Sequence, residues 1–195
     1  MARQYQMDRK TAETRIEAEL DLDGCGNIDL DTGIPFFNHM LTLFCVHGDF
    51  DLNLQAVGDL DVDFHHTVED VGLVLGECFS GALGDRAGIR RYGVAVTPMD
   101  ETLAEVAVDL SNRPFLVYNL PPAFESPGPF DRGLAKEFFR AFAVKGGMNL
   151  HINVKYGENE HHVLEAVFKS IGRALKQSVT IDSERRGVRS SKGVL

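Results

Sequence analysis

The chain has 195 residues, of which 44% are apolar and 25% are charged, and this composition predicts one compact folded unit with an ample core. Its formal net charge of −9 argues against a nucleic-acid partner, which would require a broad basic surface. The sequence contains no apolar run of the roughly 18 residues that cross a bilayer, and its N-terminal residues lack the apolar core of a secretion signal, so we expect a cytoplasmic protein without a membrane partner.

Alternating polar and apolar residues, turn signals and longer apolar stretches predict strands and helices in both halves of the chain. In the first half, the predicted elements are strands over residues 14–22 and 28–30, a helix over 36–46, a strand over 50–54, an acidic loop over 58–63 and a helix over 65–83. In the second half, they are strands over 92–97, 102–110 and 115–120, a proline-rich loop over 121–129, a helix over 134–144, a strand over 149–156 and a helix over 161–179.

The two halves repeat one another. His39 falls on Glu137 at a separation of 98 residues, and the motif His-His-x-x-Glu recurs at a separation of 96 residues, together with Gly76 on Gly172. We therefore predict an α+β fold made of two similar halves from an internal duplication, each a mainly antiparallel sheet with helices packed on one face. The halves cover approximately residues 1–92 and 93–195 of a single domain over 1–195.

The repeated motif carries metal-binding chemistry. Its residues are His65, His66 and Glu69 in the first copy and His161, His162 and Glu165 in the second. Residues three and four apart share a helix face, whereas adjacent histidines diverge by about 100°, so each histidine pair is expected to serve two separate ions. Imidazoles and carboxylates suit manganese, iron or zinc, and the lack of thiolates weakens the case for structural zinc. One copy alone would be a weak signal, but two equivalent copies indicate a pair of metal sites.

The repeat also nominates His39 and Glu137, which precede the two motifs in equivalent positions, as one extra ligand for each site. Glu137 could equally be an ordinary solvent-exposed helix residue. The single basic stretch contains Arg185, Arg186, Arg189 and Lys192, and in an acidic protein it suggests a local site for a small anion or a solvated tail. The three cysteines, Cys25, Cys45 and Cys78, show no paired spacing and are predicted to be buried free thiols.

Over essentially its whole length, the sequence resembles the imidazoleglycerol-phosphate dehydratases of histidine biosynthesis. The resemblance is carried by residues 11–15, 33–41, 65–76, 99–101, 108–114, 157–169 and 190–195, above all by HHTVEDVG and HHVLEA. It implies a manganese-dependent carbon-oxygen lyase that converts imidazole glycerol phosphate to imidazole acetol phosphate, with two Mn²⁺ ions per active site. It also implies a cage of 24 subunits built from trimers, with ligands contributed across subunit boundaries.

The resemblance assigns roles by position. The implied metal ligands are His39, His65, His66, Glu69, His161, His162 and Glu165, with Glu137 at a position that is often histidine in the family. The implied substrate contacts are Glu13, Arg91, Arg113, Lys169, Ser190 and Lys192. The catalytic carboxylates are then Glu13, as the general base, with Glu69 and Glu165. Asn38 stands where the family usually has aspartate, so only an amide is available for any hydrogen bond there.

Two other functions stay open on the sequence alone. A dinuclear metal hydrolase would also use paired imidazoles and carboxylates, because such sites activate water. A metal-assembled cage without catalysis would use the same ligands merely to join subunits.

Overall fold

The computed structural model describes residues 3–122, 128–184, 187–193 and 195. Arg185 and Arg186 of the basic stretch, and the middle of the predicted loop over 121–129, lie outside the described residues. The first sheet contains β1 (Gln4–Lys10), β2 (Thr14–Asp21), β3 (Ile28–Asp31) and β4 (Asp51–Gly58). The second contains β5 (Tyr92–Met99), β6 (Thr102–Asp109), β7 (Phe115–Asn119) and β8 (Asn149–Tyr156). The helices are α1 (Pro35–Gly48), α2 (His65–Leu83), α3 (Arg132–Gly146) and α4 (Glu160–Val179).

The two sheets have the same topology, which confirms the predicted α+β fold with two similar halves. Their strand orders are β1-β2-β4-β3 and β5-β6-β8-β7. Two of the three pairings in each sheet are antiparallel, while β3 pairs parallel to β4 and β7 pairs parallel to β8, so the sheets are mixed. Each parallel edge strand is followed by a helix before the chain returns to the sheet, as parallel pairing requires a long crossover.

Strand β1 is an addition to the predicted elements. Its sequence QYQMDRK has little apolar alternation, and most of its residues are exposed at the edge of the first sheet. The inner strands behave as the alternation predicts, because β2 and β6 bury every second residue against the helices. The prediction for the cysteines was wrong in one case. Cys45 and Cys78 are buried, but Cys25 is exposed, since it lies in the connection between β2 and β3 and has no core face.

Helix ends follow local capping chemistry. Helix α3 begins at Arg132, two residues before its predicted start, because the Asp131 side chain accepts hydrogen bonds from the backbone N–H groups of Gly133 and Leu134 at 2.8 and 3.0 Å. Helix α1 has a proline in its first turn and ends at a left-handed Asp49. Within the described residues, no helix is long and apolar enough to span a membrane.

The helices pair across the two halves. Helix α1 packs against α4, and α2 packs against α3, so each pair joins one helix from each half. The repeated glycines make both contacts close. A Cβ atom on Gly172 would lie 2.4 Å from the Phe44 carbonyl oxygen, and one on Gly76 would lie 2.7 Å from the Phe142 carbonyl oxygen. Backbone therefore meets backbone at the middle of each pair, and the N-terminal end of each motif helix is fixed beside the partner helix.

We expect Gly172→Ala to lower the urea midpoint of unfolding. Overpacking costs about 1–3 kcal/mol, which exceeds the roughly 1 kcal/mol by which alanine favours a helix over glycine. Gly128→Ala is the control, because among the described residues a Cβ atom there would meet nothing closer than the Phe130 carbonyl oxygen at 4.0 Å. An unchanged or raised midpoint for Gly172→Ala would contradict the close backbone contact.

Candidate metal centre

The contact between α1 and α4 brings together three of the predicted ligands, which we call site A: His39, His161 and Glu165. His39 Nε2 lies 2.9 Å from Glu165 Oε1, and His161 Nε2 lies 3.0 Å from the same oxygen. One ligand atom from each residue lies within 4.8 Å of the others. Glu165 is buried, while both histidines are exposed on their outer side. The cluster is thus anchored in the core by a carboxylate and open to solvent through two imidazoles.

The carboxyl group of Glu165 is held in its ionised form. Burial by itself raises its pKa, but the hydrogen bond from Lys169 Nζ to Oε2, at 2.6 Å, and those with His39 and His161 outweigh burial and lower the pKa to about 2. At neutral pH this group is therefore a carboxylate. Lys169 uses Oε2, so the Oε1 atom faces the two imidazoles.

The contact between α2 and α3 brings the corresponding residues, His65, Glu69 and Glu137, to the equivalent place, which we call site B, but their ligand atoms do not all lie within 4.8 Å of one another. His65 Nε2 lies 3.7 Å from Glu69 Oε2. Arg140 links the two helices, because its Nη2 atom lies 3.1 Å from Glu69 Oε1 and also contacts the Glu137 carboxylate. Glu137 is only partly exposed, so it is not the fully solvated residue that the sequence left open. Each site thus combines the motif helix of one half with the preceding helix of the other half.

The second histidine of each motif points away from its own cluster. The His65 and His66 rings are nearly perpendicular, at 89°, and the His161 and His162 rings meet at 86°. His66 Nδ1 lies 2.9 Å from Asp59 Oδ2, and His162 Nδ1 lies 2.7 Å from Glu101 Oε2. Both rings are partly exposed, and their Nε2 atoms lie 3.9 Å from the exposed carboxylates of Glu13 and Asp100, respectively. The two rings of each pair therefore have different partners, and the assignment of adjacent histidines to different ions stays a prediction.

The carboxylates of Asp59 and Glu101 are site residues that sequence reasoning missed. The hydrogen bond with Asp59 raises the pKa of His66, and the one with Glu101 raises the pKa of His162. The same contact with His162 lowers the pKa of Glu101 to about 2. A carboxylate on Nδ1 fixes the tautomer and the ring orientation of an imidazole. The one available signal was the repeat, since Glu101 directly precedes β6 just as Glu13 directly precedes β2.

Glu13 lies beside the first motif. Its side chain is exposed, and its Oε1 atom is 3.9 Å from His66 Nε2. Lys169, predicted as a substrate contact, lies at site A through its ion pair with Glu165. Asn38 accepts hydrogen bonds from the backbone N–H and the hydroxyl of Thr32, so its amide holds the start of α1.

Four predicted substrate contacts line one cavity of about 540 Å³, formed between the second sheet and the C-terminal segment. They are Arg91, Arg113, Ser190 and Lys192. Arg91 is buried, and its guanidinium binds Asp109 through two hydrogen bonds of 2.6 and 3.0 Å. It also donates to the Arg189 carbonyl and so ties down the C-terminal segment.

Arg189 lines the same cavity and was not among the predicted substrate contacts. Its Nε atom is buried and has no hydrogen-bond partner in the described part of the chain. A buried unpaired donor is costly, so a bound anion would satisfy it. The cavity therefore has the donors and the charge that a phosphate group requires.

The fold has two α+β halves of equal topology, and imidazoles and carboxylates meet where helices of the two halves cross. These features define a class of duplicated enzymes with paired candidate metal sites. The chain belongs to the imidazoleglycerol-phosphate dehydratase family, a family of carbon-oxygen lyases, and the family model described as "Imidazoleglycerol-phosphate dehydratase" matches residues 32–175.

Similar proteins with that name cover the whole chain. The relative from Desulfosudis oleivorans is 60% identical over 195 residues, which are 100% of both chains. The relative from Syntrophobacter fumaroxidans is 58% identical over 193 residues, 99% of this chain and 98% of the relative. The crystal structure of the Staphylococcus aureus dehydratase superposes with a TM-score of 0.82 at 39% identity, covering 91% of this chain and 99% of that one. The Pyrococcus furiosus structure gives a TM-score of 0.82 at 36% identity, covering 97% and 100%.

We expect Glu101→Gln to lower the pKa of His162 toward its ordinary value of about 6.5, because the amide cannot stabilise the imidazolium as a carboxylate does. Because the pKa of His162 is higher in the folded than in the unfolded protein, its pair with Glu101 stabilises the fold fully at pH values below the unfolded pKa of His162. This stabilisation is lost as the pH rises through the raised pKa of His162. The NMR titration of the imidazole, recorded with chelator present, measures the change.

Glu105→Gln is the matched control, since Glu105 lies on β6, four residues after Glu101, and pairs with Lys155 at 2.6 Å instead of with His162. Urea unfolding should show that the stability gap between the wild type and Glu101→Gln narrows with rising pH. An unmoved titration of His162 in Glu101→Gln would show that Glu101 does not hold this ring.

Proposed function

We propose that the chain catalyses the manganese-dependent dehydration of imidazole glycerol phosphate to imidazole acetol phosphate in histidine biosynthesis. The proposal rests on site A, in which His39, His161 and Glu165 place one ligand atom each within 4.8 Å of the others. The names of the relatives and the match of the family support the substrate and the reaction.

The donors fit Mn²⁺, because a carboxylate and neutral imidazoles suit this ion and no thiolate is present in the cluster. Site A would hold one ion through His39, His161 and Glu165, and site B would hold another through His65, Glu69 and Glu137. Three protein ligands leave coordination positions open for a substrate. When bound, the divalent cations would draw electron density from the imidazole ring of the substrate and stabilise negative charge on it.

The phosphate end of the substrate fits the cavity at the C-terminal segment. Arg113 and Lys192 are exposed and supply positive charge, while Ser190 supplies a hydroxyl. Arg91 lines the same cavity and is held in place by its ion pair with Asp109. Binding the phosphate here would fix the distance and direction of the reacting carbons, which contributes to catalysis by positioning.

Glu13 is our candidate for the general base. The reaction removes a proton from one side-chain carbon of the substrate and hydroxide from its neighbour, which together make water and leave an enol that becomes the ketone. No carbonyl activates that proton, so the imidazole ring is the only electron sink. Glu13 is exposed and lies 3.9 Å from His66 Nε2, beside a predicted metal ligand. Glu69 and Glu165 would contribute as anionic ligands.

Assembly would complete the sites. His66 and His162 are partly exposed, and each is held through Nδ1 by a carboxylate, while its Nε2 atom lies 3.9 Å from an exposed carboxylate. A second copy of the chain could therefore receive these imidazoles as further ligands. This arrangement supports the proposed cage of 24 subunits with a trimer as building block. We further propose that the enzyme acts in the cytoplasm.

We expect removal of manganese to abolish turnover of imidazole glycerol phosphate and to reduce the size of the assembly, because both would use the same ligands. The measurement is product formation with and without added Mn²⁺ after chelation, run beside size-exclusion chromatography. Hydrolysis of phosphate esters without any turnover of the imidazole substrate would favour the dinuclear hydrolase. A change in size with no activity of either kind would favour the metal-assembled cage.

We expect Glu13→Gln to lower kcat by about 10²- to 10⁴-fold, the usual contribution of a general base, while manganese content stays at the wild-type value. The amide keeps the size of the side chain but cannot accept the proton. Glu17→Gln is the matched control, because Glu17 is exposed on β2, the strand that Glu13 precedes, and pairs only with Arg15 among the described residues. Full turnover by Glu13→Gln would remove the assignment.

A further inference from the structure

The two clusters occupy equivalent places in the repeat but differ in charge. Site A contains two imidazoles and one carboxylate, whereas site B contains one imidazole and two carboxylates, because Glu137 stands in the place of His39. Two carboxylates close together repel one another unless a cation lies between them. Site B therefore requires a cation beside the carboxylates of Glu69 and Glu137.

Arg140 is that cation among the described residues. A single guanidinium nitrogen, Nη2, lies 3.1 Å from Glu69 Oε1 on α2 and also contacts Glu137 Oε2 on its own helix. The Oε2 atom of Glu137 is itself buried. Arg140 therefore binds both anionic ligands of site B at once, and its side chain is 53% exposed, so it has room to turn outward.

Site A has no equivalent of this contact. The residue that corresponds to Arg140 is Thr42, whose hydroxyl donates to the Asn38 carbonyl at 2.8 Å within α1. The nearby cation at site A is Lys169, which contacts Glu165 Oε2, whereas His39 and His161 both face Oε1. Three donors within 4.8 Å of one another occur only at site A in the described part of the chain.

We propose that Arg140 competes with the divalent cation for Glu69 and Glu137, so that site A binds manganese more tightly than site B. The inference rests on the proposed function, in that both clusters bind Mn²⁺. An ion that uses both carboxylates of site B must displace the guanidinium or share the carboxylates with it, and two cations at this separation repel. The ion at site A meets no such competitor at Oε1. Arg140 is thus a residue that sets the order in which the two sites fill.

The test measures metal binding and not activity. The full chain is freed of metal with chelator and titrated with Mn²⁺, and unbound Mn²⁺ is followed by its EPR signal. The wild type should show two classes of site per chain with different affinities. Arg140→Gln should tighten the weaker class by about 3- to 10-fold and leave the tighter class within about twofold, an effect of the size expected for exposed ion pairs.

Lys145→Gln is the matched control. Lys145 also joins α3 to α2, through Glu77 at 3.2 Å, but lies more than one turn further along the helix pair and contacts neither cluster. This variant should leave both classes unchanged. Glu137→Gln should weaken the weaker class and not the tighter one, which would assign the weaker class to site B.

The outcomes separate the two proposals. A single affinity in the wild type, or a weaker class that Arg140→Gln leaves unmoved or weakens further, would overturn the role of Arg140 while manganese binding stands. Complete absence of manganese uptake by the wild type would overturn the proposed function and this inference together. A second readout is the urea midpoint without metal, which Arg140→Gln should lower more than Lys145→Gln, because it leaves Glu69 and Glu137 without their shared cation.

Discussion

The arrangement of both clusters depends on one steric constraint, the backbone-to-backbone contact of helices from opposite halves. Gly172 allows α4 to approach the carbonyl of Phe44 on α1, and Gly76 allows α2 to approach the carbonyl of Phe142 on α3. A side chain at either glycine would push the helices apart. The candidate ligands lie at one end of each pair, about one to three turns from these contacts, so a small change in the crossing angle of the helices would be magnified where the imidazoles and carboxylates meet.

The duplicated backbone carries different electrostatics in its two copies. The helices, the strand order and the glycine contacts are equivalent in both halves, yet the cation next to each cluster comes from a different place. At site A it is Lys169 on the motif helix, and at site B it is Arg140 on the partner helix. The same holds for the second histidines, which are held by Asp59 after β4 in one half and by Glu101 before β6 in the other. In both halves, a cation lies beside the cluster and a carboxylate holds the second histidine, but the residues that supply these groups do not correspond in the repeat.

This difference explains how far the sequence could predict the structure. The helices and the inner strands could be predicted from periodicity, because the pattern of apolar residues shows which face is buried. The repeat nominated His39, His161 and Glu165, which the structure brings together. Strand β1 was missed since an exposed edge strand needs little apolar alternation. The exchange of helices between halves could not be predicted, because a repeat shows which residues are equivalent but not which of them touch. Arg140 and Glu101 were missed for the same reason, because each acquires its role from a residue far along the chain. Asp59 was missed although its partner His66 lies only seven residues away, since the sequence does not show which carboxylate of an acidic loop meets a given imidazole.

The geometry of the histidines bears on why metal binding and assembly would be linked. In each motif the first histidine faces a cluster inside the chain, and the second faces outward with Nδ1 bound to a carboxylate. A helix cannot direct adjacent side chains to one point, so the duplicated motif has twice as many imidazoles as its own clusters can use. The carboxylates hold the outer rings in one orientation, which lowers the entropy lost when Nε2 meets an ion. In the proposed assembly, a second copy of the chain would receive these oriented imidazoles, and a bound ion would then join the two copies by the same interactions that prepare it for the substrate.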